Sequence, residues 1–194
     1  MPRARLSTTS VVDAAVELVD EEGPAALSLA AVARRTCVAT PSLYKHVHSM
    51  EDLQERVAAR VTAELADVLS TAIAGRSGED ALRHLAHAYR DYALSHPGRY
   101  PLTQRVPSAQ NPEHLAAAER AVQAVFAALR GYGLAEDEAI HATRVARSAL
   151  HGFVSLETGD GFGLPQDVGH SFECLVSALH VSFGSWPEVA RAGS

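Results

Sequence analysis

At 194 residues, with 47% hydrophobic and 21% charged residues, the chain has the composition of an ordinary globular protein, which argues against a disordered or a membrane protein. The net charge of −6 excludes a uniformly basic nucleic-acid-binding surface but not a local basic patch. The two cysteines lack metal-ligand spacing and are too few for a disulfide scaffold. Because the longest apolar run, 124–129, is far too short to cross a bilayer and no hydrophobic leader follows the basic start, we expect a cytoplasmic protein without a membrane partner.

Apolar residues repeat at helical spacing in every periodic segment, and no segment alternates strictly, so we predict an all-α fold. A first helix begins after the cap candidates at 7–10 and ends at Gly23 and Pro24. A second, short helix is capped by Ser28 and ends near Cys37.

The third predicted helix has barely two turns. Thr40 is its expected cap and Pro41 lies in its first turn, while Leu43 and Val47 face inward one turn apart. Residues 49–52 (SMED) have a capping-box pattern and open a long fourth helix.

Four further helices are predicted in the rest of the chain, separated by segments that contain glycine or proline. Their apolar faces lie within the ranges 82–93, 112–130, 136–158 and 168–183.

Residues 29–47 have the layout of a helix-turn-helix, in which the second helix of the pair enters the major groove of DNA. With Leu43 and Val47 inward, the outer side carries hydrogen-bonding groups and Lys45, the only lysine in the chain. Such groups suit base edges and phosphates. The same pattern is also typical of a helical protein with a short, polar connecting helix, and periodicity does not decide between the two.

The segment LSLAAVARRTCVATPSLYKHVHSMEDL, residues 27–53, resembles the DNA-binding domain of the TetR family of bacterial transcriptional regulators, and SLYKHV at 42–47 is its most specific part. The resemblance implies a three-helix helix-turn-helix DNA-binding domain at 1–50 and a helical ligand-binding and dimerisation domain at 51–194. It further implies a homodimeric repressor without enzymatic activity, cofactor or metal. Such a repressor binds a palindromic double-stranded DNA operator and is released by a small, apolar or aromatic effector.

The resemblance also implies which residues contact DNA. Bases would face Thr40, Pro41 and Ser42, and phosphates would contact Tyr44, Lys45, His46, His48, Arg3 and Arg5. Three positions depart from the family pattern, namely Cys37 in place of glycine, Ala39 in place of a serine-like residue, and Met50 in place of lysine. We therefore expect the phosphate contact to depend more than usual on Lys45.

The predicted helix at 136–158 carries two apolar stripes, which call for two neighbours, one of them a dimer partner in this family. Leu150-His151-Gly152 is similar to the Trp-His-Gly pattern of one TetR subgroup, and Gly152 predicts a close approach of another backbone. The residues predicted for the dimer interface are Ala142, Val145, Ala149, Gly152, Phe153, Phe172, Leu175 and Leu179.

Aromatic and imidazole side chains are the expected lining of a small-molecule pocket, although each is also the kind of residue that fills a core. The residues predicted for the effector site are Tyr89, Tyr92, Tyr100, Phe126, His151 and Phe162.

Other classes of function have little support. Glu138-x-x-His141 is half of a di-iron carboxylate motif, but the second half is missing, since only Asp167-x-x-His170 resembles it. His84 and His87 could ligate a metal, but histidines on a helix face are usually solvated, so no metal site is predicted. A helical protein that does not bind DNA is the remaining alternative.

Overall fold

The computed structural model describes residues 6–186, and the secondary structure in this part of the chain is helical throughout, which confirms the all-α prediction. The helices, in chain order, are α1 (Thr8–Glu22), α2 (Leu29–Arg35), α3 (Thr40–Leu43), α4 (Met50–Ile73), α5 (Gly78–Ser95), α6 (Pro112–Leu129), α7 (Glu136–Thr158) and α8 (Val168–Gly184). Short 3-10 segments lie at Pro24–Ala26, Tyr100–Gln104 and Arg130–Tyr132.

The chain divides into two compact units. The first comprises the residues up to Leu65 together with His96–Glu119, and the second comprises Ala66–Ser95 together with the residues from Arg120 on. The division expected after residue 50 concerns function rather than contacts, and it stays a prediction.

The first unit is built around α1, whose start follows directly from the sequence. The Ser10 amide donates to Ser7 Oγ at 3.1 Å, and the Ser7 amide donates to Ser10 Oγ at 2.9 Å, which completes a capping box. The aliphatic residues of α1 and α2 then pack with Leu43, Val47 and the start of α4 in one buried cluster. This packing leaves α3 anchored by two side chains that are 0% exposed.

Gly98 explains why a segment distant in sequence joins the first unit. A Cβ at this position would lie 2.3 Å from the Val19 carbonyl oxygen, so only glycine permits the close approach to α1. Arg99 then binds Asp20 in α1 and, at 2.7 Å, Glu64 in α4.

The core of the second unit is formed by α5, α7, α8 and the end of α6. Its buried cluster contains Leu82, Leu129, Ala142, Ala146, Leu179 and Phe183. On α7 the buried residues are Ala142, Thr143, Ala146, Leu150 and Val154. Val145 and Leu156, on the same helix, are exposed.

Candidate nucleic-acid interface

The third helix is shorter than predicted. The residue at its N-cap is Ala39, with φ −74° and ψ 141°, so the assignment of Thr40 as the cap is wrong. Thr40 is instead the first helical residue, α3 closes after Leu43, and turns follow over 44–46. The Ser42 amide donates to the Ala39 carbonyl at 2.8 Å and the His46 amide to the Leu43 carbonyl at 2.8 Å, so the backbone bonds hold a compact turn. The helix begins one residue after Ala39 because the backbone of Ala39 is extended, as the backbone of an N-cap residue is. Its side chain makes no capping hydrogen bond.

The side chains predicted to contact DNA lie together on the outer side of this compact turn. Pro41, Tyr44, Lys45 and His48 are exposed, with Tyr44 at 52%. The partly exposed members of the set are Thr40, Ser42 and His46. Arg3 and Arg5, the two remaining predicted contacts, lie outside the described residues.

Residues 40–46, which we call the recognition turn, are flanked by hydrogen bonds that link this part of the chain to α1 on one side and to α4 on the other. On one flank the Thr8 hydroxyl at the start of α1 donates to the His46 carbonyl at 3.5 Å. On the other flank the Asp52 amide donates to Ser49 Oγ at 3.0 Å, and the His48 amide donates to Asp52 Oδ2 at 2.8 Å. The predicted cap at Ser49 is therefore present, with the carboxylate reaching one residue further back than in a standard capping box. These hydrogen bonds fix the backbone on both sides of the exposed side chains.

The turn between α2 and α3 has a left-handed residue. Cys37 has φ 56°, and its amide donates to the Arg34 carbonyl at 3.2 Å while the Val38 amide donates to the Ala33 carbonyl at 3.0 Å. Glycine is the residue best suited to such a position, because it has no Cβ to clash. Cys37, which stands where the family pattern has glycine, therefore adopts the left-handed conformation at the cost of backbone strain.

The local electrostatics favour an anionic ligand. Residues 23–50, which hold α2, the turn and α3, contain no aspartate or glutamate. Lys45 forms no hydrogen bond or ion pair with the residues that the structure describes. A local basic surface thus exists on a chain whose net charge is negative, as the composition allowed.

The first unit also contains a buried polar cluster that sequence reasoning missed. Glu55 on α4 is 7% exposed and accepts from Arg105 Nε at 2.8 Å, while the Nδ1 atom of His114, which is 0% exposed, lies 3.1 Å from Glu55. Burial alone would raise the pKa of Glu55, but hydrogen bonds from Arg105 and His114 outweigh it and hold the pKa below its usual value. The cluster fastens the start of α4 to the segment around 105–114 within the first unit.

The residues predicted for the effector site fall into different environments. Tyr89 and Tyr92 on α5 are buried, and Phe126 and His151 are partly buried in the same unit. Tyr100 is buried in the first unit, and Phe162 is exposed in the loop before α8. Their role with an effector stays a prediction.

Two polar side chains of the second unit, His151 and Thr143, are buried or partly buried. Burial, together with the charge of Arg147, lowers the pKa of His151, so its imidazole is neutral at physiological pH. Thr143 on α7 is buried, and its Oγ1 atom has no hydrogen-bond partner among the described residues. Sequence reasoning did not single out Thr143, because a threonine on an apolar stripe carries no signal of its own.

The residues predicted for the dimer interface differ in how far they are exposed. Ala142 and Phe172 are 0% exposed and Leu179 is 6% exposed, so these three belong to the core of the unit itself. Val145 and Gly152 are exposed, and the partly exposed residues are Ala149, Phe153 and Leu175.

Three of the side chains considered for metals are paired with other groups. His84 lies 3.1 Å from Asp80, and His87 lies 2.9 Å from Glu173. Glu138 accepts from Trp186 Nε1 at 2.6 Å, which occupies the carboxylate of the half motif for di-iron. No helix of the described part is long and apolar enough to cross a membrane.

A short helix anchored by two buried residues, with polar groups outward and no acidic residue in the segment 23–50 that carries it, is the arrangement found in helix-turn-helix DNA-binding proteins. The chain matches the family described as "Bacterial regulatory proteins, tetR family" over residues 11–57. It also matches the family described as "Tetracyclin repressor-like, C-terminal domain" over residues 82–179. The chain belongs to the TetR family and is a transcriptional regulator with a DNA-binding helix-turn-helix domain.

Two relatives illustrate this membership. The chain is 43% identical, over 155 residues, to an uncharacterised helix-turn-helix-type transcriptional regulator of Mycobacterium tuberculosis, covering 79% of this chain and 71% of the relative. It is 35% identical over 168 residues to YobS, an uncharacterised regulator of the same type in Bacillus subtilis, covering 86% and 87%. These relatives are described as regulators rather than enzymes.

Solved structures show the same fold. BioQ with its double-stranded DNA operator matches with a TM-score of 0.66 and 22% identity over 91% of this chain and 99% of that one. A TetR variant of Acinetobacter baumannii in complex with minocycline matches with a TM-score of 0.69 and 23% identity over 92% and 97%.

Proposed function

We propose that this regulator is a homodimeric repressor that binds a palindromic operator and is released by a small-molecule effector. The observation that carries the proposal is the outer side of α3 and of the turns after it, where Pro41, Tyr44 and Lys45 are exposed while Leu43 and Val47 are buried in the core. A rigid turn with its polar groups outward can present them to a major groove without rearrangement.

Within this proposal the residues of α3 and those of the segment that follows it, up to His48, have different roles. Thr40, Pro41 and Ser42, at the start of the helix, contact base edges, because the N-terminal residues of a recognition helix reach the groove floor. Tyr44, Lys45, His46 and His48 contact phosphates and set the orientation. Arg3 and Arg5 would add phosphate contacts from the N-terminal arm.

The exposed sides of α7 and α8 support the proposal that a second copy of the chain packs there. On α7, Val145 and Leu156 are exposed large aliphatic residues, with the small, exposed Ser148 and Gly152 between them. A Cβ on Gly152 would meet nothing within 4 Å among the described residues beyond its own helix backbone, which leaves space there for the backbone of a partner.

The exposed side of α8 has the same character. Cys174, Ala178 and Val181 follow at helical spacing, and Val181 is 67% exposed. Two such helices pack against their symmetry mates in an isologous four-helix arrangement, which fits a regulator with two-fold symmetry and a palindromic site.

An effector site in the second unit is supported by its mixture of aromatic and polar groups. Tyr89 and Tyr92 on α5 offer buried aromatic surface, and His151 and Thr143 on α7 offer a neutral imidazole and a hydroxyl without a protein partner in the described part. Sites for small apolar ligands have this composition. The TetR variant of Acinetobacter baumannii that shares this fold is in complex with a small molecule, minocycline.

The mechanism is a population shift. An effector that binds more tightly to a dimer geometry in which the two recognition helices no longer match successive major-groove faces lowers DNA affinity by that difference. The protein needs no catalytic step.

In vitro selection from a random double-stranded DNA pool tests the proposal. We expect an enriched inverted repeat whose half-site centres lie about 10 base pairs, or a multiple of that, apart. Enrichment of a sequence without two-fold symmetry, or of no sequence, would contradict a dimeric operator-binding role.

A further inference from the structure

The arginines of the first unit are mostly held by carboxylates. Five arginines among its described residues form ion pairs with carboxylates. For the pair named below for each arginine, the nitrogen–oxygen distance lies between 2.6 and 2.9 Å. The pairs are Arg35 with Glu21, Arg56 with Asp52, Arg60 with Glu64, Arg99 with Glu64, and Arg105 with Glu55. These guanidinium charges are largely neutralised and are poorly available to a phosphate.

Arg34 is different from this set. It is exposed, near the end of α2, and its side chain has no hydrogen bond or carboxylate partner among the residues that the structure describes. The next residue, Arg35, is held against α1 by Glu17 at 3.1 Å and Glu21 at 2.6 Å. Because successive side chains on an α-helix diverge by about 100°, the Arg34 side chain extends from another side of α2.

The surroundings of Arg34 are suited to a close anionic partner. Ala30, one turn earlier, and Cys37, in the following turn, are both exposed and small. Together with the absence of acidic residues from 23–50, this leaves the Arg34 charge without an acidic neighbour in its own helix or in the turn that follows it. Lys45 is the other basic side chain of the described first unit without a carboxylate partner.

We propose that Arg34 binds a phosphate of the operator backbone and acts, with Lys45, as one of two unneutralised cationic anchors of the helix-turn-helix. The inference rests on the proposed function and adds a contact from α2, the helix that crosses the DNA backbone in this motif. A guanidinium suits this contact because its planar donors match two phosphate oxygens at once. The contact positions the protein and reads no base.

The test measures operator affinity over a range of salt concentrations for the wild type and Arg34→Gln. Loss of one phosphate contact should lower the magnitude of the slope of log affinity against log salt by about 0.9. The affinity ratio of wild type to variant should therefore shrink by roughly 3.5-fold between 50 and 200 mM salt. The double variant with Lys45→Ala should lose about twice as much slope as Arg34→Gln alone.

Two control variants separate this contact from general charge and from folding. Arg130 is exposed in the second unit and also lacks a described partner, so Arg130→Gln removes the same charge elsewhere and should keep the wild-type slope. Arg34→Lys keeps the charge and should also keep the slope. Thermal unfolding of every variant is measured alongside, and Arg34→Gln should melt at the wild-type temperature because its side chain is exposed.

The outcomes distinguish this inference from the proposed function. If the wild type binds its operator but Arg34→Gln retains the full slope, the assignment of Arg34 is wrong while the repressor proposal stands. If Arg34→Lys loses as much slope as Arg34→Gln, or if Arg34→Gln selects a different DNA motif, a phosphate contact is contradicted. If the wild type itself shows no salt-dependent, operator-specific binding, the proposed function fails.

Discussion

At the scale of single residues, Cys37 is the position where this chain departs most clearly from what its backbone requires. Its φ of 56° places an L-residue in the left-handed region, which costs about 1–2 kcal/mol relative to ordinary helical backbone. The sequence showed that glycine was missing, but it did not show whether the turn would change shape or keep its shape under strain. The structure shows the second outcome.

Cys37→Gly should therefore raise the free energy of unfolding by about 0.5–1 kcal/mol, since relief of the strain exceeds the extra entropy that glycine has in the unfolded chain. Denaturant titration measures the change. Cys37→Ala is the matched control, because alanine removes the thiol but keeps the Cβ, and it should give no such gain. Equal stability of the glycine and alanine variants would show that the turn stores no strain at this position.

At the scale of elements, helix positions followed from the sequence wherever caps and apolar periodicity agreed. Ser7 and Ser28 cap α1 and α2 as predicted, and Asn111 accepts from the His114 amide at 3.1 Å at the start of α6. The contact between Glu55 and His114 was not predictable, because the two residues are 59 positions apart and nothing local marks them as partners. Such pairs are decided by tertiary packing.

Glu55→Gln tests what this contact contributes. Because the pKa of Glu55 is depressed, its carboxylate stabilises the fold above the unfolded-state value of 4.5, and this contribution is lost as pH falls through the folded-state value. We expect the variant to lose about 1–3 kcal/mol of unfolding free energy at pH 7 and to be less sensitive to acidification below pH 4.5 than the wild type.

Glu51 provides the control for this experiment. It binds the same arginine, Arg105, but its side chain is 75% exposed, so Glu51→Gln should change stability little. Chemical denaturation at a series of pH values measures both variants. Equal losses for the two substitutions would mean that the buried position of Glu55 confers no special stability.

At the scale of the whole molecule, the exposed surface of α7 and α8 determines whether the regulator forms a dimer. The sequence indicated that α7 needs two neighbours, but it did not separate the residues used within the unit from those left outside. Ala142 and Phe172 proved to be core residues, while Val145 and Gly152 are accessible. A stripe pattern alone lacks the angular precision to make this distinction, because positions three or four residues apart lie only about 40–60° apart around the helix axis.

Val181→Asp should convert the proposed dimer to a monomer, because it places two desolvated like charges in an isologous interface. Analytical ultracentrifugation measures the assembly state. Val106→Asp is the control, since Val106 is even more exposed, at 83%, but lies in the first unit. A Val181→Asp protein that sediments as a dimer at the wild-type concentration would rule out this face of α8 as the interface.

The central claim is that two copies of α3, held by one dimer, read two half-sites together. The most direct test is the affinity for the selected inverted repeat before and after insertion of about five base pairs between its half-sites, which turns them to opposite faces of the duplex. We expect the affinity to fall to that of a single half-site. Undiminished affinity for the inserted site would contradict it.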